Sequence, residues 1–132
     1  MIVLDTHVLV WWVTNELRKL SAPARKAIDQ ALKGGSIVVS SISAWEIAML
    51  VSGGRLSLNM DVANWLATIG QIEGVRYVPV DNDIAVASIT LPGTFHKDPA
   101  DRIIVATARK FAATLVTADR RIRAYPDVDT LW

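Results

Sequence analysis

The sequence predicts an α/β fold, a three-layer α/β/α sandwich around a short parallel sheet of four to five strands. Three observations carry this. The strand-like segments are short and apolar at successive positions, as in strands covered on both faces. Helical stretches separate all of them, so consecutive strands are joined by crossovers and run parallel. The hydrophobic fraction is 52% against 20% charged residues, with a mean hydropathy of +0.31, which suits a sheet buried on both sides.

Each element has its own local signal. Ile2-Val3-Leu4 reads as a buried strand, and Thr6 to Val13 as a helix leaving it. Ser21 is placed to cap the next helix, with Pro23 in its first turn and Gly34-Gly35 at its end; Ala24, Ala27, Ile28, Ala31 and Leu32 keep helical spacing. Ile37-Val38-Val39 is the second strand. Ser43 to Val51 reads as a helix closed by Gly53-Gly54. Asp61 caps another, with Val62, Trp65, Leu66 and Ile69 on one face. Val75 to Val80 is the third strand, and Asp81 starts a helix that Pro92-Gly93 stops near Leu91. Asp98-Pro99, a cap followed by proline, opens a helix toward Ala112. Thr114 to Thr117 is the fourth strand. A short helix or turn follows, and Thr130 to Trp132 is the candidate fifth strand.

Composition narrows the function. The 132 residues make one domain, 1–132, without repeat or linker. There is no cysteine, which excludes disulfides, thiolate metal sites and thiol catalysis. The net charge of +1 does not indicate a globally basic nucleic-acid binder. Met1 leads directly into Ile2-Val3-Leu4-Asp5, without the basic start and apolar core of a signal peptide. No apolar run approaches the about 20 residues of a membrane helix. The expectation is a soluble, cytoplasmic protein with no membrane partner.

Acids mark the strand ends. Asp5 follows the first strand and Asp119 the fourth. Glu46 is expected in the first turn of the helix after the second strand, and Asp98 and Asp101 open the helix before the fourth. In parallel α/β sheets ligands sit beyond the carboxyl ends of the strands. Carboxylates brought together there repel unless a cation neutralises them. Oxygen donors without thiols favour Mg²⁺ or Mn²⁺ over Zn²⁺, and such ions support phosphodiester hydrolysis. Each acid also has a local explanation. Ser43-Ala44-Trp45-Glu46 fits a capping box, Asp98 and Asp119 fit caps, and Asp101 suits a helix dipole. Asp5 has the poorest such explanation, because it lies between an apolar strand and an apolar helix.

Taken in order, Leu4-Asp5-Thr6-His7-Val8-Leu9-Val10-Trp11-Trp12, Ser43-Ala44-Trp45-Glu46-Ile47-Ala48, His96-Lys97-Asp98-Pro99-Ala100-Asp101-Arg102-Ile103-Ile104-Val105-Ala106-Thr107-Ala108, Leu115-Val116-Thr117-Ala118-Asp119 and the closing Leu131-Trp132 resemble a PIN-domain protein. More narrowly they resemble the VapC-type toxins of type II toxin–antitoxin pairs. The resemblance spans essentially the whole chain. It implies a PIN-like fold and an endoribonuclease that uses Mg²⁺ or Mn²⁺. It also implies a homodimer and a cognate antitoxin whose tail covers the active site. The acids it implies as catalytic and metal-binding are Asp5, Glu46, Asp101 and Asp119, with Asp98 as a further candidate.

Other side chains follow from that frame. Lys97, Arg102 and Arg120, with Arg121 and Arg123, are candidates to hold RNA phosphates; the alternative is solvated surface, or for Arg102 an ion pair. Thr6 and Thr117 are candidates to orient carboxylates. His7 and His96 are candidates for ligation or proton shuttling, but a structural role, or one supporting a ligand from behind, suits them better because a hard cation does not favour imidazole. Trp11, Trp12 and Trp45 are candidates to stack RNA bases, but packing of helix on sheet, or an apolar groove for a partner, is the stronger expectation. A dehalogenase-like phosphatase would need a second Asp where His7 stands, a dinucleotide binder a glycine-rich turn after the first strand, and a receiver domain would leave Glu46 unexplained. The competing class is a catalytically silent PIN-like module that binds protein or RNA.

Overall fold

In a computed structural model describing residues 1–132, five strands form one sheet: Ile2–Leu4 (β1), Ile37–Ser40 (β2), Val75–Val78 (β3), Thr114–Val116 (β4) and Thr130–Leu131 (β5). Their order is β3-β2-β1-β4-β5, and every neighbouring pair is parallel. The helices are Thr6–Val13 (α1), Ala22–Lys33 (α2), Ser41–Ser52 (α3), Val62–Gly70 (α4), Asn82–Ile89 (α5), Pro99–Lys110 (α6) and Arg120–Arg123 (α7), with a 3₁₀ turn at Leu17–Lys19.

The central strands β1, β2 and β4 are largely apolar at successive positions because both their faces are covered. Ile2, Leu4, Ile37, Val39 and Val116 face one core with α1, α2, Ile47 of α3, and Trp65 and Ile69 of α4. Val3, Val38 and Leu115 face the other, with Ile84 of α5, Ile104 and Val105 of α6 and Ile122 of α7. That is the expected three-layer sandwich. Alternation with a period of two therefore divides one strand between two cores.

Element ends differ from the sequence expectation where local chemistry intervenes. α3 begins two residues early, because the Ser40 hydroxyl accepts the Ile42 amide and caps the helix. β3 stops at Val78, before Pro79, which has no amide proton for a ladder. α6 stops at Lys110, and Ala112 sits in the left-handed region at φ 49°.

β1 lies centrally, with β4 beside it. The chain leaves β1 toward the α1–α2 face and leaves β4 toward the α7 face. Diverging connections from neighbouring strands open a crevice at their carboxyl ends. Asp5 and Asp119 follow those two ends.

Candidate active site

Three of the five acids begin helices. Asp5 accepts the Thr6 amide at 2.8 Å at the start of α1. Asp98 accepts the Asp101 amide at 2.9 Å at the start of α6. Asp119 accepts the Arg121 and Ile122 amides at 2.8 and 3.2 Å at the start of α7. The capping explanations of Asp98 and Asp119 therefore hold, and they coexist with a shared site. In a fold whose helices start where strands end, capping acids gather at one edge. The amino-terminal ends of helices also offset part of their charge.

Two threonines join these acids. Thr117, fully buried, donates its hydroxyl to Asp5 Oδ2 at 2.7 Å and accepts the Asp119 amide at 3.0 Å. Thr6 donates its hydroxyl to Glu46 Oε1 at 2.5 Å while its amide serves Asp5. Its single proton is thus committed to Glu46, so the contact with Ser43 Oγ at 2.8 Å has Ser43 as donor. The capping box expected at Ser43 and Glu46 is overturned. Ser43 lies buried inside α3, and Glu46 is in the second turn, not the first, held by Thr6 from 40 residues away. Ser40 is the actual cap, and the Ser40-Ser41 pair was the signal for it.

The electrostatics are those of crowded acids. Burial pushes the Asp5 carboxyl up, opposed by the Thr117 hydroxyl and the Thr6 amide. Burial likewise raises Glu46, against the Thr6 hydroxyl. Asp101 is pushed up to about 7, by burial first and then by the charges of Asp5, Asp98, Asp119 and Glu46. All five acids therefore act on one region. No three acidic or histidine side chains stand close enough to enclose an ion as they are. The donor chemistry nevertheless fits a hard divalent cation: carboxylate oxygens only, partly desolvated and mutually repelling.

The remaining candidates divide. Arg102 is not free to anchor a phosphate. Its guanidinium donates to the carbonyls of Ser88 at 2.7 Å, Phe95 at 3.0 Å, His96 at 3.1 Å and Ile89 at 3.2 Å. Neither expectation for it, phosphate anchor or ion pair with a neighbouring acid, matches this geometry. Lys97, Arg120, Arg121 and Arg123 are exposed. Arg120 and Arg123 line an open groove with Trp132. Trp11 packs on the core and meets Trp132 at 6.1 Å, and Trp12 also packs on the core. Trp45 is 56% exposed. It lines a cleft of about 330 Å³ with His7, Glu46, Met49, Arg55 and Asp98, so an apolar wall borders the acids. His96, expected to serve a structural or supporting role, stands beside one of the acids. Its Nε2 lies 3.1 Å from Asp101 Oδ2.

The PIN domain family model matches residues 2–128. The chain is 38% identical to Ribonuclease VapC22 of Mycobacterium tuberculosis over 133 residues, 99% of this chain and 98% of that protein. Among solved structures it is similar in fold to VapBC2 from Rickettsia felis bound to a promoter DNA fragment. There the TM-score is 0.71 at 18% identity, covering 99% of this chain and 98% of that one. It is also similar to FitAcB from Neisseria gonorrhoeae, with a TM-score of 0.67 at 24% identity, covering 100% and 97%.

Proposed function

The chain belongs to the PIN domain family, and from that premise we propose that it is a metal-dependent endoribonuclease, the toxin of a type II toxin–antitoxin pair. The observation that carries this reading is the acid cluster at the β1 and β4 ends, with the 38% identity to a ribonuclease in support. Asp5, Glu46, Asp101 and Asp119 would hold Mg²⁺ or Mn²⁺, with Asp98 beside them. A divalent cation bound there supplies Lewis acidity at the scissile phosphate and eases deprotonation of water. Thr117 keeps one Asp5 oxygen oriented, and Thr6 keeps Glu46 turned toward the site. Lys97 and Arg120 hold flanking phosphates from outside the acid cluster.

Two structures of similar fold are named as toxin–antitoxin or DNA-bound VapBC complexes, which supports an antitoxin partner. The exposed Trp45 and Met49 beside the acids suit an apolar segment of that partner. We propose a homodimer acting in the cytoplasm; no helix is long and apolar enough to cross a membrane.

The test uses end-labelled structured RNA with antitoxin-free protein. Attack by water leaves a 5′-phosphate and a 3′-hydroxyl, and EDTA abolishes cleavage. Asp5→Asn lowers turnover by more than the about 10- to 100-fold typical of losing an outer partner of a metal ligand, with RNA binding retained. Products ending in 2′,3′-cyclic phosphate would refute the mechanism, and activity persisting in Asp5→Asn would return the chain to the binding-module class.

A further inference from the structure

We propose that His96 is a positioning residue that fixes the Asp101 carboxylate at the mouth of the acid cluster; this rests on the ribonuclease reading of the site.

The geometry is a closed ring of local contacts at the start of α6. The Asp98 amide donates to His96 Nδ1 at 3.3 Å, which leaves Nε2 as the proton-bearing nitrogen of a neutral ring. Nε2 is buried and makes no regular hydrogen bond, its N–H lying off the line to the nearest acceptor. Asp101 Oδ2 is the acceptor beside it, 3.1 Å away, and the two side chains are only 16% and 15% exposed. The Asp98 carboxylate accepts the Asp101 amide, so His96 and Asp98 hold Asp101 from its side chain and its backbone.

The ring itself is immobilised. It lies 4.2 Å from the Phe95 ring, which stands 4.8 Å from Tyr125. The Tyr125 hydroxyl donates to the Pro92 carbonyl. Arg102 grips the carbonyls of both Phe95 and His96 while holding the end of α5. A buried imidazole N–H without another acceptor costs free energy unless it faces one. Lying 3.1 Å from Asp101 Oδ2 with no other acceptor in reach, it limits how that carboxylate can turn. Such outer partners commonly set metal affinity, because they remove the cost of orienting a ligand on binding.

The experiment compares wild type, His96→Ala and His96→Gln, whose amide nitrogen reaches about as far as Nε2. Mn²⁺ binding is read by calorimetry, and kcat and KM are read on the same RNA. His96→Ala should weaken Mn²⁺ binding and lower kcat by about 10- to 100-fold with KM little changed, and His96→Gln should recover most of both. In the metal-free wild type, ¹⁵N-imidazole spectra should show His96 with its proton on Nε2, and Asp101→Asn should perturb that resonance. A folded His96→Ala that binds and cleaves like wild type would overturn the proposal, as would a proton on Nδ1. Should His96→Ala fail to fold, the glutamine variant and the tautomer still decide. If the wild type neither binds metal nor cleaves RNA, the ribonuclease reading fails, while the imidazole spectra still report on the His96–Asp101 contact.

Discussion

Single side chains at this site hold a fold contact and a charge at once. Asp101 makes the point in the metal-free protein. Unfolded, its proton leaves near 3.8; folded, it is held to about 7. Between these values the folded state binds more protons than the unfolded state, so stability falls as pH rises through the window and levels off above it. Urea midpoints measured in EDTA should decline from pH 4.5 to 7.5, and Asp101→Asn should flatten the decline. Thr6 gives a second expectation. Thr6→Val leaves Glu46 without its donor and Ser43 without its acceptor, a loss of about 1–3 kcal/mol for buried polar groups left unpaired. Thr6→Ser should restore most of it in the same denaturation assay. Asp5 and Asp119 are legible in the sequence because apolar strands visibly end at them. The Thr6–Glu46 contact is not, since it joins residues far apart and S-x-x-E has a simpler local meaning.

Among the elements, the junction between α5 and α6 depends on Arg102. Four carbonyls accept from one guanidinium, so Arg102→Met should destabilise by roughly 2–4 kcal/mol, as hydrogen bonds to charged groups and stranded carbonyls imply. The folded variant should keep the wild-type salt dependence of RNA binding. Arg120→Ala should instead reduce the salt slope by about one while leaving the urea midpoint in place. Equal salt slopes for Arg120→Ala and wild type would remove Arg120 from the RNA-binding surface. Strands and most helices are legible because apolar runs, caps and glycines announce them. The start of α3 is not, because Ser40, Ser41 and Ser43 are all able to cap, and only the bond from the Ile42 amide to the Ser40 hydroxyl decides between them.

For the molecule as a whole, the two cores share one short sheet, so damage to either should be felt at the site. Leu4→Ala empties a fully buried position one residue before Asp5 and should cost about 2–5 kcal/mol. Wild type should melt higher with Mn²⁺ present, through linkage, and Asp5→Asn should lose that gain while melting no lower than wild type in EDTA. The PIN-like architecture is legible because the central strands are covered on both faces and helices separate all of them. The crowding of acids onto one edge follows from parallel topology, whereas the side-chain ring around His96 emerges only once α6 is docked. The capping acids also bear on how such a protein changes over generations. Asn caps a helix about as well as Asp, so exchanging one oxygen for an amide at Asp98 or Asp119 removes charge and leaves the helix start intact. A lineage can thus drift from nuclease to inert scaffold in single steps that folding does not oppose.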